Sequence, residues 1–185
     1  MKFLAKSLST FVLLALSSGL GHSDDSATRC IPGMDQDIRK LHSSKSPNPC
    51  AEFSGRPTLN VSTASHCGFT PQFKVLESIH SRYADRGLVV KGFPSDDIHQ
   101  AADNEEKAAE VCYINYGVSS TVFAPTRVKR SEVHPVFKYL ARESQASRWN
   151  FTKYLVSGSG EVTHRFGSNV TPDSPPMNDA IESLL

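Results

Sequence analysis

The chain has 185 residues, 38% of them hydrophobic and 21% charged, which suits one domain with a real core and is too short for two. Twenty basic residues face 19 acidic ones and alternate with them along the chain, which excludes the basic footprint of a nucleic-acid binder or an anionic-membrane surface. The four cysteines, Cys30, Cys50, Cys67 and Cys112, are few enough to be considered one at a time.

The N-terminus carries Lys2 and Lys6, an apolar run from Phe11 to Leu16, and then the small residues Ser17, Ser18, Gly19 and Gly21 before Ser23. This order predicts a secretory signal peptide over residues 1–23, cleaved after Ser23 or, failing that, after Gly21. The apolar run is much shorter than the ~20 residues that cross a bilayer, so no stable membrane insertion is expected. Without residues 1–23 the count becomes 18 basic against 19 acidic residues. The expected destination is the periplasm or the exterior.

Residues 24–56 are rich in Ser, Asp, Pro and Lys and read as an N-terminal extension. Cys30 and Cys50 flank its Pro-containing segment. Four cysteines allow three pairings, and a Cys30–Cys50 staple has an evident use here, worth roughly 3 kcal/mol on the chain-entropy model.

From residue 57 the pattern becomes that of a folded domain, 57–185. Thr58 to Ser62 reads as a strand, and Phe73, Leu76, Ile79 and Tyr83 mark a helix from Pro71 to Arg86. Thr70 is the expected N-cap and Gly87 the stop. Leu88 to Phe93 is the continuous apolar strand of a buried parallel sheet, completing a β-α-β unit. Helices follow from Glu105 to about Tyr113 and from Ser131 to Ala141. Phe151 to Val156 and Glu161 to Phe166 flank a Ser-Gly-Ser-Gly turn and predict a hairpin, and a last helix covers Met177 to Leu184. The sum is α/β: a thioredoxin-like fold, with a mixed central sheet and helices on both faces.

Cys67 falls between the first strand and its helix, within Ala64-Ser65-His66-Cys67-Gly68-Phe69-Thr70. Small and polar residues at such a turn expose backbone amides, and amides together with a helix dipole favour a thiolate. Most free cysteines are simply small buried hydrophobes; these neighbours favour a reactive one. His66 beside it is expected to face solvent. No His/Cys cluster has metal-ligand spacing, so no metal is expected. Three Asn-X-Ser/Thr triplets occur, at Asn60, Asn150 and Asn169, and the first two fall on predicted strands.

The run from Ser62 to Gln72 resembles the signature around the peroxidatic cysteine or selenocysteine of the glutathione peroxidase family. Leu88 to Ser95 is similar to that family's second signature, Arg148 to Leu155 to its Trp-Asn-Phe block, and His134-Pro135 with Phe137 to Leu140 to the preceding helix. The resemblance runs in order from about Gly55 to Leu185, and is to an exported, bacterial-type, cysteine-containing member. It implies an active site of Cys67, Gln100, Trp149 and Asn150. All three partners can aim N–H donors at a thiolate without neutralising it. The loop carrying Gln100 is two residues shorter than usual, Ser62 stands in place of the usual Asn, and Ser120-Thr121 in place of the usual Pro.

The implied reaction is reduction of hydrogen peroxide and organic hydroperoxides through a Cys67 sulfenic acid, in defence against oxidative stress. The resemblance implies no prosthetic cofactor, with thioredoxin or glutathione as the reductant. Cys112 matches the resolving cysteine of thioredoxin-dependent members, 45 residues beyond Cys67; the alternative is a core role on its helix. The short segment between Leu140 and Trp149 lacks the interface insertion of tetrameric members and implies a monomer, or at most a weak dimer. Two other readings share these residues: a thioredoxin-like thiol–disulfide oxidoreductase, which would want Cys-X-X-Cys where Thr70 stands, and a non-enzymatic thiol redox sensor.

Overall fold

The computed structural model describes residues 30–129 and 131–185; the signal-peptide reading of residues 1–23 lies outside them. Its centre is β1 (Thr58–Thr63), all six residues buried. β1 runs parallel to β2 (Val89–Pro94), pairing Asn60 with Lys91. On its other side it runs antiparallel to β4 (Lys153–Val156), pairing Asn60 with Tyr154. With β3 (Thr121–Val122) beyond β2 and β5 (Val162–Phe166) beyond β4, the sheet has the order β3-β2-β1-β4-β5. β4 and β5 form the expected hairpin. The mixed sheet follows from connectivity, since β1 to β2 crosses over through a helix while β4 to β5 turns directly.

Alternate strand residues feed two cores on opposite faces. Leu59, Val61, Val90 and Leu155 point to one face. There α2 (Gln72–Tyr83) covers them with Phe73, Leu76, Ile79 and Tyr83, and α5 (Pro175–Glu182) with Met177 and Ile181. Phe93, Tyr154 and Val156 point to the other face, beneath Val136, Phe137 and Leu140 of α4 (Pro135–Glu143). Each of these fully buried side chains contributes about 1.5–3 kcal/mol by leaving water. Phe137 meets Phe93 edge-on at 5.3 Å and Tyr154 at 6.2 Å.

α2 is followed by a tight 3-10 turn, Ala84–Arg86, and stops at Gly87, whose φ of 110° suits a residue without Cβ. α3 (Glu105–Ala109) continues as a π-helical segment, Glu110–Asn115. α4 begins at Pro135 rather than Ser131. Proline fixes the first helical φ, and the His134 side chain caps it by accepting from the Val136 amide. Residues 131–132 form a turn instead, with Glu132 at φ 62°.

The segment before β1 is built into the domain. Cys30 and Cys50 form a disulfide with Cα atoms 5.6 Å apart, at the start of the short helix α1 (Pro49–Phe53). Ile31, Met34 and Ile38 join the α4-side core and Leu41 the α2-side core. Lys40 bridges Phe123 just beyond β3. Among the described residues no helix is long and apolar enough to cross a membrane.

Candidate active site

Cys67 lies in the turn between β1 and α2, at the C-terminal edge of the sheet, with 7% of its surface exposed. Thr70 holds this turn in a different manner from the expected helix cap. α2 starts at Gln72 after Pro71, and the Thr70 hydroxyl turns back to accept from the Cys67 amide (3.0 Å) and donate to the Ala64 carbonyl (3.1 Å). The first-turn amides of α2 are likewise committed, those of Gln72 and Phe73 donating to the carbonyls of Phe69 and Thr70. The free donors next to the thiol are therefore loop amides. Gly68 and Phe69 have no acceptor among the described residues, and successive unpaired amides make a concavity that suits an anion.

Gln100 joins the remaining parts. Its carbonyl accepts from the His66 amide at 2.8 Å, fixing the residue before the thiol. Its side-chain Oε1 accepts from Asn150 Nδ2 at 3.0 Å. The shortened loop thus still delivers Gln100 to the cysteine turn, with His99 taking φ 54° to make the bend. A cleft of about 290 Å³ opens beside that loop, lined by Ser95, Asp96, Asp97, His99 and Arg127 among others.

Asn150 is completely buried and precedes β4 instead of lying on a strand as expected. The next residue, Phe151, has φ 61°, a left-handed backbone uncommon for a large side chain. Its amide donates to the Ser62 carbonyl at 2.6 Å, and the Ser62 amide donates to the Thr152 carbonyl at 3.1 Å, tying this turn to β1. The Oδ1 of Asn150 is buried with no hydrogen-bond partner among the described residues, a cost that most proteins avoid outside functional sites. Trp149 is 44% exposed, and its indole N–H finds no partner among the described residues. The structure therefore joins the Cys67 turn, Gln100 and Asn150 by hydrogen bonds, and leaves Trp149, the residue before Asn150, half-exposed with a free donor. Asn60, by contrast, is fully buried within β1, which closes that Asn-X-Ser triplet to modification.

Cys112 is a second free thiol, 2% exposed, within the π-helical segment and in the same apolar cluster as Cys67. Burial pushes its thiol up to about 12. In this conformation it is a core residue, chemically quiet. No group of three or more metal-ligating side chains is found among the described residues.

The sequence profile for glutathione peroxidase matches residues 37–141 of the chain. A glutathione peroxidase of Lactococcus lactis is 37% identical over 141 residues, covering 73% of this chain and 88% of that protein. The chain belongs to the glutathione peroxidase family. Another relative, a hydroperoxy fatty acid reductase of Synechocystis, is 36% identical over 152 residues, covering 76% of this chain and 89% of its own. The crystal structure of Trgpx in apo form superposes with a TM-score of 0.64 at 24% identity, covering 84% of this chain and 96% of that one, which shows the shared thioredoxin-like fold. As a member of the family the chain is a thiol peroxidase, an oxidoreductase that reduces hydroperoxides with a thiol co-substrate in oxidative-stress defence.

Three features of this site carry no clear sequence signal: the partners of the Thr70 hydroxyl, the Ser62–Phe151 link and the bend at His99. Each is settled by where backbone groups come to lie, which residue type alone does not reveal.

Proposed function

We propose that Cys67 is the peroxidatic nucleophile and that Gln100, Trp149 and Asn150 complete the catalytic site around it. The observation that carries this reading is the chain of hydrogen bonds from the Cys67 turn through Gln100 to Asn150. The Cys67 thiolate attacks the distal oxygen of the hydroperoxide and the O–O bond breaks. The proximal oxygen leaves with a proton as water or alcohol, and Cys67 becomes a sulfenic acid. The free N–H groups of Gly68, Phe69 and Trp149 are the donors available to the thiolate and to the oxygen that gains charge.

Cys112 is the resolving thiol. It condenses with the sulfenic acid, releasing water and forming a Cys67–Cys112 disulfide, which a dithiol protein of thioredoxin type reduces by exchange. A thiol pushed up to about 12 cannot do this from the core. The segment 105–115 must open first, and its short α-helix continuing into π-helical turns is a weak element suited to opening. Cys67-Gly68-Phe69-Thr70 lacks the second cysteine of a disulfide oxidoreductase, which favours the peroxidase reading over that one.

The substrates include bulky hydroperoxides alongside hydrogen peroxide, because the half-exposed Trp149 and the exposed His66 leave the thiol turn uncovered. The fatty-acid activity named for the Synechocystis relative agrees with this. The protein acts as a monomer outside the cytoplasm, in the periplasm or secreted, after losing residues 1–23. The Cys30–Cys50 disulfide fits an oxidising compartment. N-terminal sequencing of the exported protein should begin at Asp24.

Steady-state turnover of hydrogen peroxide and an alkyl hydroperoxide, with thioredoxin or glutathione as reductant, tests this reading. Cys67→Ser should lose turnover with either reductant, and Cys112→Ser only with thioredoxin. Full thioredoxin-dependent turnover in Cys112→Ser would remove the resolving role.

A further inference from the structure

Lys153 is fully buried, yet forms no ion pair among the described residues. Its Nζ instead reaches three backbone carbonyls of one loop: Gly167 (3.3 Å), Ser168 (3.3 Å) and Val170 (2.6 Å). Three acceptors call for three N–H donors, which only the ammonium form has. Burial opposes that form, pushing Lys153 down to about 7. A cation placed in a core without a carboxylate is expensive, and the fold spends that expense on fixing residues 167–170.

The same loop touches the active site. The Ser168 hydroxyl donates to the Asn150 carbonyl at 2.6 Å. Gln72, at the start of α2, donates from Nε2 to the Ser168 carbonyl at 2.7 Å. One side of the Asn150–Phe151 peptide is thus held by Ser168, and the other by the Ser62 carbonyl, which accepts from the Phe151 amide. That peptide precedes the left-handed Phe151. A backbone in this region persists only where its surroundings over-determine it.

We propose that Lys153 and Ser168 are positioning residues for peroxide reduction: Lys153 fixes the 167–170 loop, and Ser168 grips the Asn150 carbonyl so that the Asn150 amide stays against Gln100 at the Cys67 turn. Neither residue touches the reacting atoms. The proposal rests on the assignment of Asn150 to the catalytic site. It differs from a plain stabilising role in predicting that the two residues act through Asn150.

The test is a double-mutant cycle on the first chemical step. Reduced Cys112→Ser protein is mixed with one equivalent of hydrogen peroxide, and peroxide loss is followed in Ser168→Ala, Lys153→Met, Asn150→Ala and the pairwise combinations. Melting temperatures are recorded in parallel. Ser168→Ala removes one buried oxygen and serves as the informative variant if Lys153→Met does not fold. The expected result is a rate about tenfold lower in Ser168→Ala and about a hundredfold lower in Asn150→Ala, with Ser168→Ala causing no further loss when Asn150 is already alanine.

Rate losses that multiply in the double variant would overturn the proposal. So would a wild-type rate in Ser168→Ala beside a slow Asn150→Ala. A wild-type rate in Asn150→Ala would instead overturn the catalytic assignment on which the proposal depends.

Discussion

The resolving step should be limited by release of Cys112 from the core, and Asn104 offers a way to change that release without touching either thiol. The Asn104 side chain caps α3 by accepting from the Lys107 amide at 2.9 Å. Asn104→Ala removes that bond, and loss of such a cap costs about 1 kcal/mol of helix stability. If segment 105–115 opens as a unit, this raises its open population about fivefold at 25 °C. The native thiol, pushed up to about 12, is almost entirely protonated near neutral pH, so alkylation proceeds through the opened form. Iodoacetamide labelling of Cys112, followed by mass spectrometry of the digested protein, should therefore quicken about fivefold in Asn104→Ala. Disulfide formation after a peroxide pulse should quicken by a similar factor, while the peroxide step at Cys67 keeps its rate. Unchanged labelling and unchanged disulfide formation in a variant with a weakened helix would refute gating by this segment.

Other consequences of the structure are open to direct measurement. Replacing both Cys30 and Cys50 by alanine should cost about 3 kcal/mol in urea unfolding, from a loop closed across 20 residues. Phe137, wedged between Phe93 and Tyr154, should cost about 3–5 kcal/mol when changed to alanine. Lys91 is 3% exposed over the Phe53 ring, and burial, with Arg56 nearby, lowers its pKa to about 7. Between pH 7 and about 10.5 the folded protein has shed this proton while the unfolded chain keeps it, so stability rises with pH across that window. Lys153 adds to the rise in the same window. Lys91→Met should accordingly stabilise the protein at pH 6 by on the order of 3 kcal/mol and lose that advantage as the pH approaches 10.5.

The β-α-β unit was legible because its signals were local and consistent: four apolar residues on one helical face, a continuous apolar strand, and a glycine where the chain turns left-handed. The pattern before β1 was not. Ile38 and Leu41 sit in one short periodic stretch, but Ile31 and Met34 enter the core from turns and bends with no period to reveal them, and the stretch is too brief to show that the segment is built into the domain. β3 has only two residues, and α1 only five, too few for any spacing to repeat. Thr70 looked like a helix cap because the residue type suits both caps and tight turns. Its choice of partners depends on where Ala64 and Cys67 come to lie.

The site showed the same division. Cys67, Trp149 and Asn150 lie in recognisable blocks, and Gln100 required a gap that the structure accommodates through the bend at His99. Lys153 and Ser168 gave no sign of their connection to Asn150, because each acts on a backbone carbonyl. A lysine in a strand reads as solvent-facing until the fold surrounds it.

The central claim is that peroxide oxygen arrives on Cys67 and that Cys112 then displaces it. Mass spectrometry of the reduced protein after one equivalent of hydrogen peroxide tests this most directly. Wild type should lose two hydrogens and give a Cys67–Cys112 peptide pair, while Cys112→Ser should retain one added oxygen on Cys67, trapped by a sulfenic-acid probe. Oxygen on another residue, or an unmodified Cys67 in Cys112→Ser after the peroxide has been consumed, would contradict the account.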